Sequence, residues 1–173
     1  KGLVPFKEDE GNACIYSDLQ IGPKIYRVYN AHLASIKLNK HDYKAMQKIN
    51  QNDYSNDFDD EMLLVNKLKA GFIKRSVQAD SIRLSIDRSP YPVILCGDFN
   101  DTPASYAYET IRGELVDGFI ESGSGFGQTY IGEFPSFRID YIFYDEMLES
   151  ENFNTHPEKL SDHHPISVRL HPK

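Results

Sequence analysis

Asp98 and Asn100 are the residues of this sequence best placed to do chemistry. They follow the apolar run Val93-Ile94-Leu95-Cys96 and flank Phe99. Four apolar residues without alternation read as a strand buried on both faces. The abrupt change after Gly97 delivers a carboxylate and a carboxamide at that strand's carboxyl end. If strand geometry persists, positions two apart share a face, so Asp98 and Asn100 open into one pocket while Phe99 turns into the core. Gly97 has no Cβ and allows neighbouring groups to come close to the backbone. Taken alone, Gly97-Asp98-Phe99-Asn100 also describes a solvated turn, so the weight falls on what the rest of the chain adds.

Three other stretches add polar groups of the right kind. Tyr29-Asn30-Ala31-His32-Leu33 closes an alternating run with Asn30 and His32 on one face; a lone histidine there is ordinarily a surface group. In Arg138-Ile139-Asp140-Tyr141-Ile142-Phe143-Tyr144, Asp140 is a carboxylate within a strongly β-prone run. Desolvating it is costly unless it meets a cation or hydrogen-bond donors. Leu160-Ser161-Asp162-His163-His164-Pro165-Ile166 offers such a partner. An imidazole hydrogen-bonded to a carboxylate has its tautomer fixed and its protonated form stabilised, which suits proton transfer.

The elements that must position these groups can be read in order. Lys1 to Gly11, with Glu8, Asp9 and Glu10, reads as a loop. Asn12–Ile21 and Lys24–Leu33 alternate around Gly22-Pro23 and predict a β-hairpin. Residues 39–60 are rich in Asn and Asp and read as a long surface insertion without a site; Asp53 to Glu61 lacks the glycine and ligand spacing of a calcium loop. Glu61 to Arg88 predicts a long amphipathic helix. Val65, Leu68, Phe72, Ala79, Ile82 and Ile86 would face a sheet, with Lys67, Lys74, Arg75 and Arg83 on a solvated face. Ser89-Pro90-Tyr91-Pro92 ends that helix and leads into the strand at Val93.

After the turn, Thr102 as N-cap and Pro103 as first helical residue predict a helix to Arg112. Glu114–Ile120 reads as a strand or extended connection, and Gly118–Gly132 as a mobile loop near the site. Gly123-Ser124-Gly125-Phe126-Gly127 lacks the Gly-Lys-Ser/Thr ending of a phosphate loop. A strand through Tyr144 and a terminal strand ending near Leu170 complete a layered α/β domain.

Composition bounds the function classes. At 173 residues, 40% hydrophobic and 26% charged, the chain suits one soluble domain spanning residues 1–173. No apolar run approaches the roughly 20 residues of a membrane span. No signal-peptide pattern is present at Lys1, and compartment is left open. A net charge of −7 argues against a broad basic surface for gripping nucleic acid, whereas a bound divalent cation would supply positive charge locally. Cys14 and Cys96 fall in separate predicted strands and read as buried free thiols.

Taken together and in order, Asn30-Ala31-His32-Leu33, Gly97-Asp98-Phe99-Asn100, Arg138-Ile139-Asp140-Tyr141 and Ser161-Asp162-His163-His164-Pro165 closely resemble the endonuclease/exonuclease/phosphatase superfamily. The resemblance runs from about Asn12 to Leu170. It implies a four-layer α/β/β/α sandwich, with two mainly antiparallel sheets face to face, helices outside, and a phosphate-cleaving site at one sheet edge. By this resemblance His163 is the catalytic histidine and Asp140 the carboxylate that orients it. Asp98 orients or deprotonates the attacking water, Asn100 donates to the developing phosphorane oxygens, and His32 assists the leaving oxygen. Asp162 resembles a metal-site carboxylate suited to Mg²⁺ or Mn²⁺. The family also places an asparagine and a metal-binding glutamate on early strands that have no counterpart in Lys1 to Glu10. The chain therefore reads as the carboxyl-terminal two-thirds of a domain, truncated on its amino-terminal side, whose parent protein has room for an upstream membrane anchor.

The implied activity is metal-dependent hydrolysis of a phosphodiester or phosphomonoester by in-line water attack. Nucleic acid, a phosphoinositide or a phospholipid headgroup is the expected substrate, and no protein partner is inferred. Two other classes compete. A noncatalytic binding module would keep the fold but gain nothing from retaining costly buried polar groups. A zinc hydrolase using Asp162, His163 and His164 would need adjacent histidines to converge, although neighbours on a strand face opposite ways.

Overall fold

The computed structural model describes residues 1–6, 11–36, 38–50, 58–132 and 137–173, with the side chains of residues 45, 47–50 and 58–60 outside that set. Alternation around Gly22-Pro23 folds β2 (Ala13–Ile21) and β3 (Lys24–His32) into an antiparallel hairpin closed by the Ile21–Lys24 pair. Gly22 takes φ 59°, a left-handed conformation that glycine adopts without a Cβ penalty. β1 (Gly2–Val4) pairs along the outer side of β2. The opening residues were expected to be a loop. Val4 is buried and pairs with Cys14, so three residues suffice to extend the sheet.

From β3 the chain passes through α1 (Lys40–Asn50) and α2 (Phe58–Asp87) into β4 (Val93–Asp98), which lies parallel to β3. The short strand β5 (Val116–Asp117) and β6 (Asp140–Tyr144) complete a six-stranded sheet in the order β1-β2-β3-β4-β6-β5, antiparallel except at β3–β4. β7 (Leu148–Thr155) and β8 (Ile166–Pro172) form a second, two-stranded antiparallel sheet. The fold is thus mixed α/β, with a large and a small sheet and flanking helices. No described helix is long and apolar enough to cross a membrane.

One face of the large sheet is closed by the last turns of α2 and by α3 (Tyr106–Arg112). Ala79, Ile82 and Ile86, with Ala107, Tyr108 and Ile111, pack on Tyr29, Ala31, Leu95, Phe99, Tyr141 and Phe143. Burying one such large apolar side chain contributes about 1.5–3 kcal/mol. Phe99, Tyr108, Tyr141 and Phe143 also meet as tilted or edge-on rings with centroids 4.8–5.5 Å apart, which adds specific geometry to the burial. The opposite face carries Tyr26 and Tyr144 against Leu148, with Ile94, Val116 and Leu170 at the edge. Leu3, Ile15 and Leu19 of β1 and β2 stay exposed. Cys14 and Cys96 are free thiols, as expected, but only Cys14 is buried and Cys96 is partly exposed.

Several expectations are corrected. The apolar stripe of α2 holds in its second half, but Val65 and Phe72 are about half exposed. Thirty residues make a rod of about 45 Å, longer than the six- to nine-residue strands it crosses, so its first half overruns the sheet and meets α1. Arg75, assigned to the solvated face, is 1% exposed. Within residues 39–60 the Asn/Asp-rich start is a helix: Asn39 Oδ1 accepts from the backbone N–H of His41 and Asp42, and Asp42 Oδ2 accepts from Asn39 N–H. These reciprocal bonds are a helix start rather than an excursion of turns. The stretch weighed as a calcium loop lies mostly outside the described residues, as do Glu8, Asp9 and Glu10. The N-cap of α3 is Ser105, whose Oγ accepts from Tyr108 N–H, not Thr102. Asp101 Oδ1 accepts from Thr102 N–H and Thr102 carbonyl accepts from Ser105 N–H, so a turn intervenes before the helix. β7 was not foreseen, because Glu149, Ser150, Glu151, Asn152 and Asn154 dilute its alternation and a bulge at Asn152 (φ 54°) interrupts it.

Candidate active site

The register of the large sheet assembles the site. In the parallel pair β3–β4, His32 lies opposite Asp98; in the antiparallel pair β4–β6, Asp98 lies opposite Asp140. Directly opposed residues project to the same face, so three adjacent strands each contribute one polar side chain to a single row at one sheet edge. His32 Nε2 is 3.8 Å from Asp98 Oδ2. His163, from the segment entering β8, completes the row: its Nδ1 is 2.8 Å from Asp140 Oδ2. Gly97 is required where it stands, since a Cβ there would collide with the carbonyl oxygen of Ala31 on β3.

Asn100 is brought to the same place by a turn and not by strand continuation. Phe99 is fully buried and donates its N–H to the Ile139 carbonyl, while Asn100 takes φ 51°. Asparagine tolerates this left-handed conformation better than most residues. Its backbone N–H donates to Asp98 Oδ1 at 2.7 Å. Its Nδ2 donates to Asp98 Oδ2 at 3.1 Å and to the Leu33 carbonyl at 3.0 Å. Asn100 therefore fixes the Asp98 carboxylate and ties the ends of β3 and β4 together.

Sequence reasoning did not find the residues that hold this row in place. Thr129 is fully buried, and its Oγ1 accepts from the backbone N–H groups of Ile139 at 3.0 Å and Asp140 at 3.1 Å. Its carbonyl accepts from His164 N–H, and Ile131 N–H donates to the Asp162 carbonyl. Tyr130 forms an isolated bridge with His163, and the two rings meet edge-on at 5.4 Å. Gly118–Gly132, expected to be a mobile loop, thus starts as a helix, α4 (Gly118–Ser122), capped by Asp117, and ends as the staple between Asp140 and His163. Arg75 Nε donates to Asp101 Oδ2 at 2.7 Å and its Nη1 donates to the Ala34 carbonyl. One buried cation so joins α2 to the loops after β3 and β4. Asp117 accepts from Tyr108 Oη and Arg138 Nη1, both at 2.7 Å, which anchors the entry to β6. No spacing in the sequence marks Thr129. Arg138 beside Asp140 was a visible signal, because a charge in a β-prone run needs a buried partner.

The electrostatics follow from this packing. Burial pushes the Asp98 carboxyl up; the Asn100 N–H opposes that, and the Asp140 charge adds to it. For His163, burial alone would lower the pKa. The hydrogen bond and charge of Asp140, with Asp98 and Asp162 behind, outweigh it and carry the imidazole above its ordinary value. The row opens into a cavity of about 410 Å³ that His32, Asp98, Asn100, Asp162 and His163 all line. Asp98, Asp140 and His163 each offer one ligand atom within 4.8 Å of the others. The two carboxylates of that group are hard oxygen donors of the kind that fit an ion such as Mg²⁺. Asp162 is exposed at the rim, outside that group of three. His164 lines a separate cavity beside Phe119 and Phe153, so Asp162, His163 and His164 do not converge as a zinc site would require.

A family model described as the endonuclease/exonuclease/phosphatase family matches residues 46–163. The chain belongs to that family. Its members are hydrolases of phosphoester bonds, and the matched stretch includes Asp98, Asn100, Asp140, Asp162 and His163 but not His32. Solved structures give the same fold. An endonuclease/exonuclease/phosphatase from Bacteroides vulgatus is 18% identical, with a TM-score of 0.65, over 99% of this chain and 64% of that one. A humanized D. rerio TDP2 is 14% identical, with a TM-score of 0.65, over 98% and 65%. The mannosyl-6-phosphatase of Bacteroides thetaiotaomicron is 18% identical, with a TM-score of 0.51, over 92% and 57%. The chain spans less than two-thirds of the length of each. No curated protein matches the sequence.

Proposed function

We propose that this chain carries the proton-transfer side of a divalent-metal-dependent phosphoesterase. The 2.8 Å contact between His163 Nδ1 and Asp140 Oδ2, in register beside Asp98 and His32, supports this reading most strongly. Asp140 holds the imidazole in one tautomer and favours its protonated form, so His163 presents Nε2–H to a phosphoryl oxygen. Asp98, aligned by both donors of Asn100, orients the attacking water and accepts its proton. Asn100 acts as a positioning residue here, because both of its Nδ2 contacts are internal. His32 stands on the other side of Asp98, where it assists the leaving oxygen. Asp162, at the rim, is the carboxylate that would hold Mg²⁺ or Mn²⁺, which when bound supplies Lewis acidity at the phosphoryl oxygen.

Hydrolysis of bis(4-nitrophenyl) phosphate with Mg²⁺ tests the assignment. His163→Ala and Asp98→Asn are each expected to cost roughly 100- to 10,000-fold in kcat, the range for a positioned acid or base. Rates unchanged in either variant, with folding intact, would remove the roles given to these residues and leave a binding module on the same fold.

A further inference from the structure

The cavity that holds the polar row has a second half of different chemistry. Ile36 and Leu38 follow the end of β3, Tyr43 and Met46 come from α1, and Leu68 and Phe72 come from the first half of α2; all six line the same 410 Å³ space as His32 and His163. Phe72 is 51% exposed, with the Arg75 guanidinium 4.9 Å from its ring centroid. The overrun of α2 beyond the sheet and the reciprocal capping that builds α1 both serve to place this wall. A clamp holds them together: Lys67 of α2 donates to both carboxylate oxygens of Asp42 at 2.8 Å, and Asp42 is 3% exposed.

Charge narrows what such a cavity accepts. Among the described residues Arg75 is the single Lys or Arg lining it, and its Nε and Nη1 are bonded to Asp101 and the Ala34 carbonyl. With Asp98, Asp101 and Asp162 also in the lining, the described lining residues offer a polyanion no row of cations to neutralise successive phosphates. A cavity of about 150 Å³ lined by apolar side chains is enough to bind a benzene ring. The space therefore accommodates one phosphoryl group and one ring.

We propose, resting on the phosphoesterase reading above, that the substrate is a phosphate ester of a flat apolar ring, its phosphoryl group on the His32, Asp98 and His163 side and its ring against Tyr43, Met46, Leu68 and Phe72. Aromatic faces reward a ring beyond simple area burial, which sets an aryl group apart from an alkyl chain of similar size. Tyr43 and Met46, from the stretch expected to be a siteless insertion, thereby join Leu68 and Phe72 of the long helix in one specificity wall.

Non-hydrolysable phosphonates separate this inference from the reading beneath it. Calorimetric titration with Mg²⁺ present is expected to show phenylphosphonate binding roughly 10-fold or more tighter than methylphosphonate, and tighter than hexylphosphonate. Tyr43→Ala and Phe72→Ala are expected to bring the phenyl-to-methyl ratio toward one. Phe72→Leu, which keeps apolar area without the ring, is expected to bring phenyl and hexyl together. Equal binding of phenyl and methyl compounds would overturn the inference and leave the phosphoesterase reading standing. Hexyl binding as tight as phenyl would overturn the ring and leave only an apolar preference. If none of the three binds, both readings fall.

Discussion

Replacing Thr129 by valine keeps the shape of the side chain and removes one oxygen, and that oxygen is the acceptor for two backbone N–H groups of the segment that carries Asp140. The Ile139 N–H is buried and would lose its partner outright, at a cost of about 1–3 kcal/mol; the half-buried Asp140 N–H would lose less. The sum is about 2–4 kcal/mol, with no cavity contribution because the volumes match. For a chain of 173 residues this corresponds to a fall in Tm of roughly 5–15 °C. Thr129→Ser keeps the acceptor and loses one buried methyl, about 1 kcal/mol. Urea unfolding and thermal melts of both variants are the assay, with hydrolysis rates alongside. Valine is expected to be the more damaging, and to lower activity below Tm as well, because Asp140 loses its register against His163. Valine as stable as wild type, or serine worse than valine, would refute the view that the hydroxyl, not the methyl, holds the site.

Asp140→Asn removes the contact that raises the His163 pKa and leaves burial, which lowers it. The alkaline limb of the pH–rate profile should therefore move to lower pH. The sign for stability follows from the same shift. A histidine with a raised pKa in the folded state contributes stability that is fully present below its unfolded pKa and is lost as pH rises through the folded one. Urea unfolding across that window should show a decline in the wild type that Asp140→Asn lacks. Arg75→Met leaves Asp101, 6% exposed, as an unpaired buried charge and is expected to cost about 3–5 kcal/mol. The double variant Arg75→Met/Asp101→Leu should recover much of this in a double-mutant cycle; an additive result would show that the two do not act as a pair.

Much of the polar row was legible because strand periodicity and register do the same arithmetic in sequence and in space. The hairpin ends at His32, the strand at Val93 ends at Asp98 and the run at Asp140 begins there, so aligning these strand ends aligns the three polar side chains. Asn100 came to the right place for a different reason: its left-handed turn, not a continued strand, aims it at Asp98, and its donors turn inward. What the sequence hid was support made of single polar contacts. Thr129 satisfies backbone groups ten and eleven residues away, and Arg75 sits on a helix where nothing in the spacing separates it from its more exposed Lys and Arg neighbours. Neither leaves a periodic mark. The helix at Lys40–Asn50 was masked by its own capping residues, since Asn39 and Asp42 favour turns and helix starts equally. Phe72 matched the apolar stripe, yet it lines a cavity and not the sheet.

The convergence of these groups on one phosphate is tested most directly by the imidazole ¹⁵N resonances of the histidines, followed by NMR while phosphate is titrated in the presence of Mg²⁺. His163 and His32 are expected to shift together with one binding constant, and His163 to titrate above the ordinary histidine range until Asp140 is replaced by asparagine. His156, hydrogen-bonded to Ser167, and His171, beside Glu151, line no part of the cavity and should not move. Unmoved His163 resonances, or equal shifts at His171, would contradict a phosphate site built on the Asp140–His163 pair.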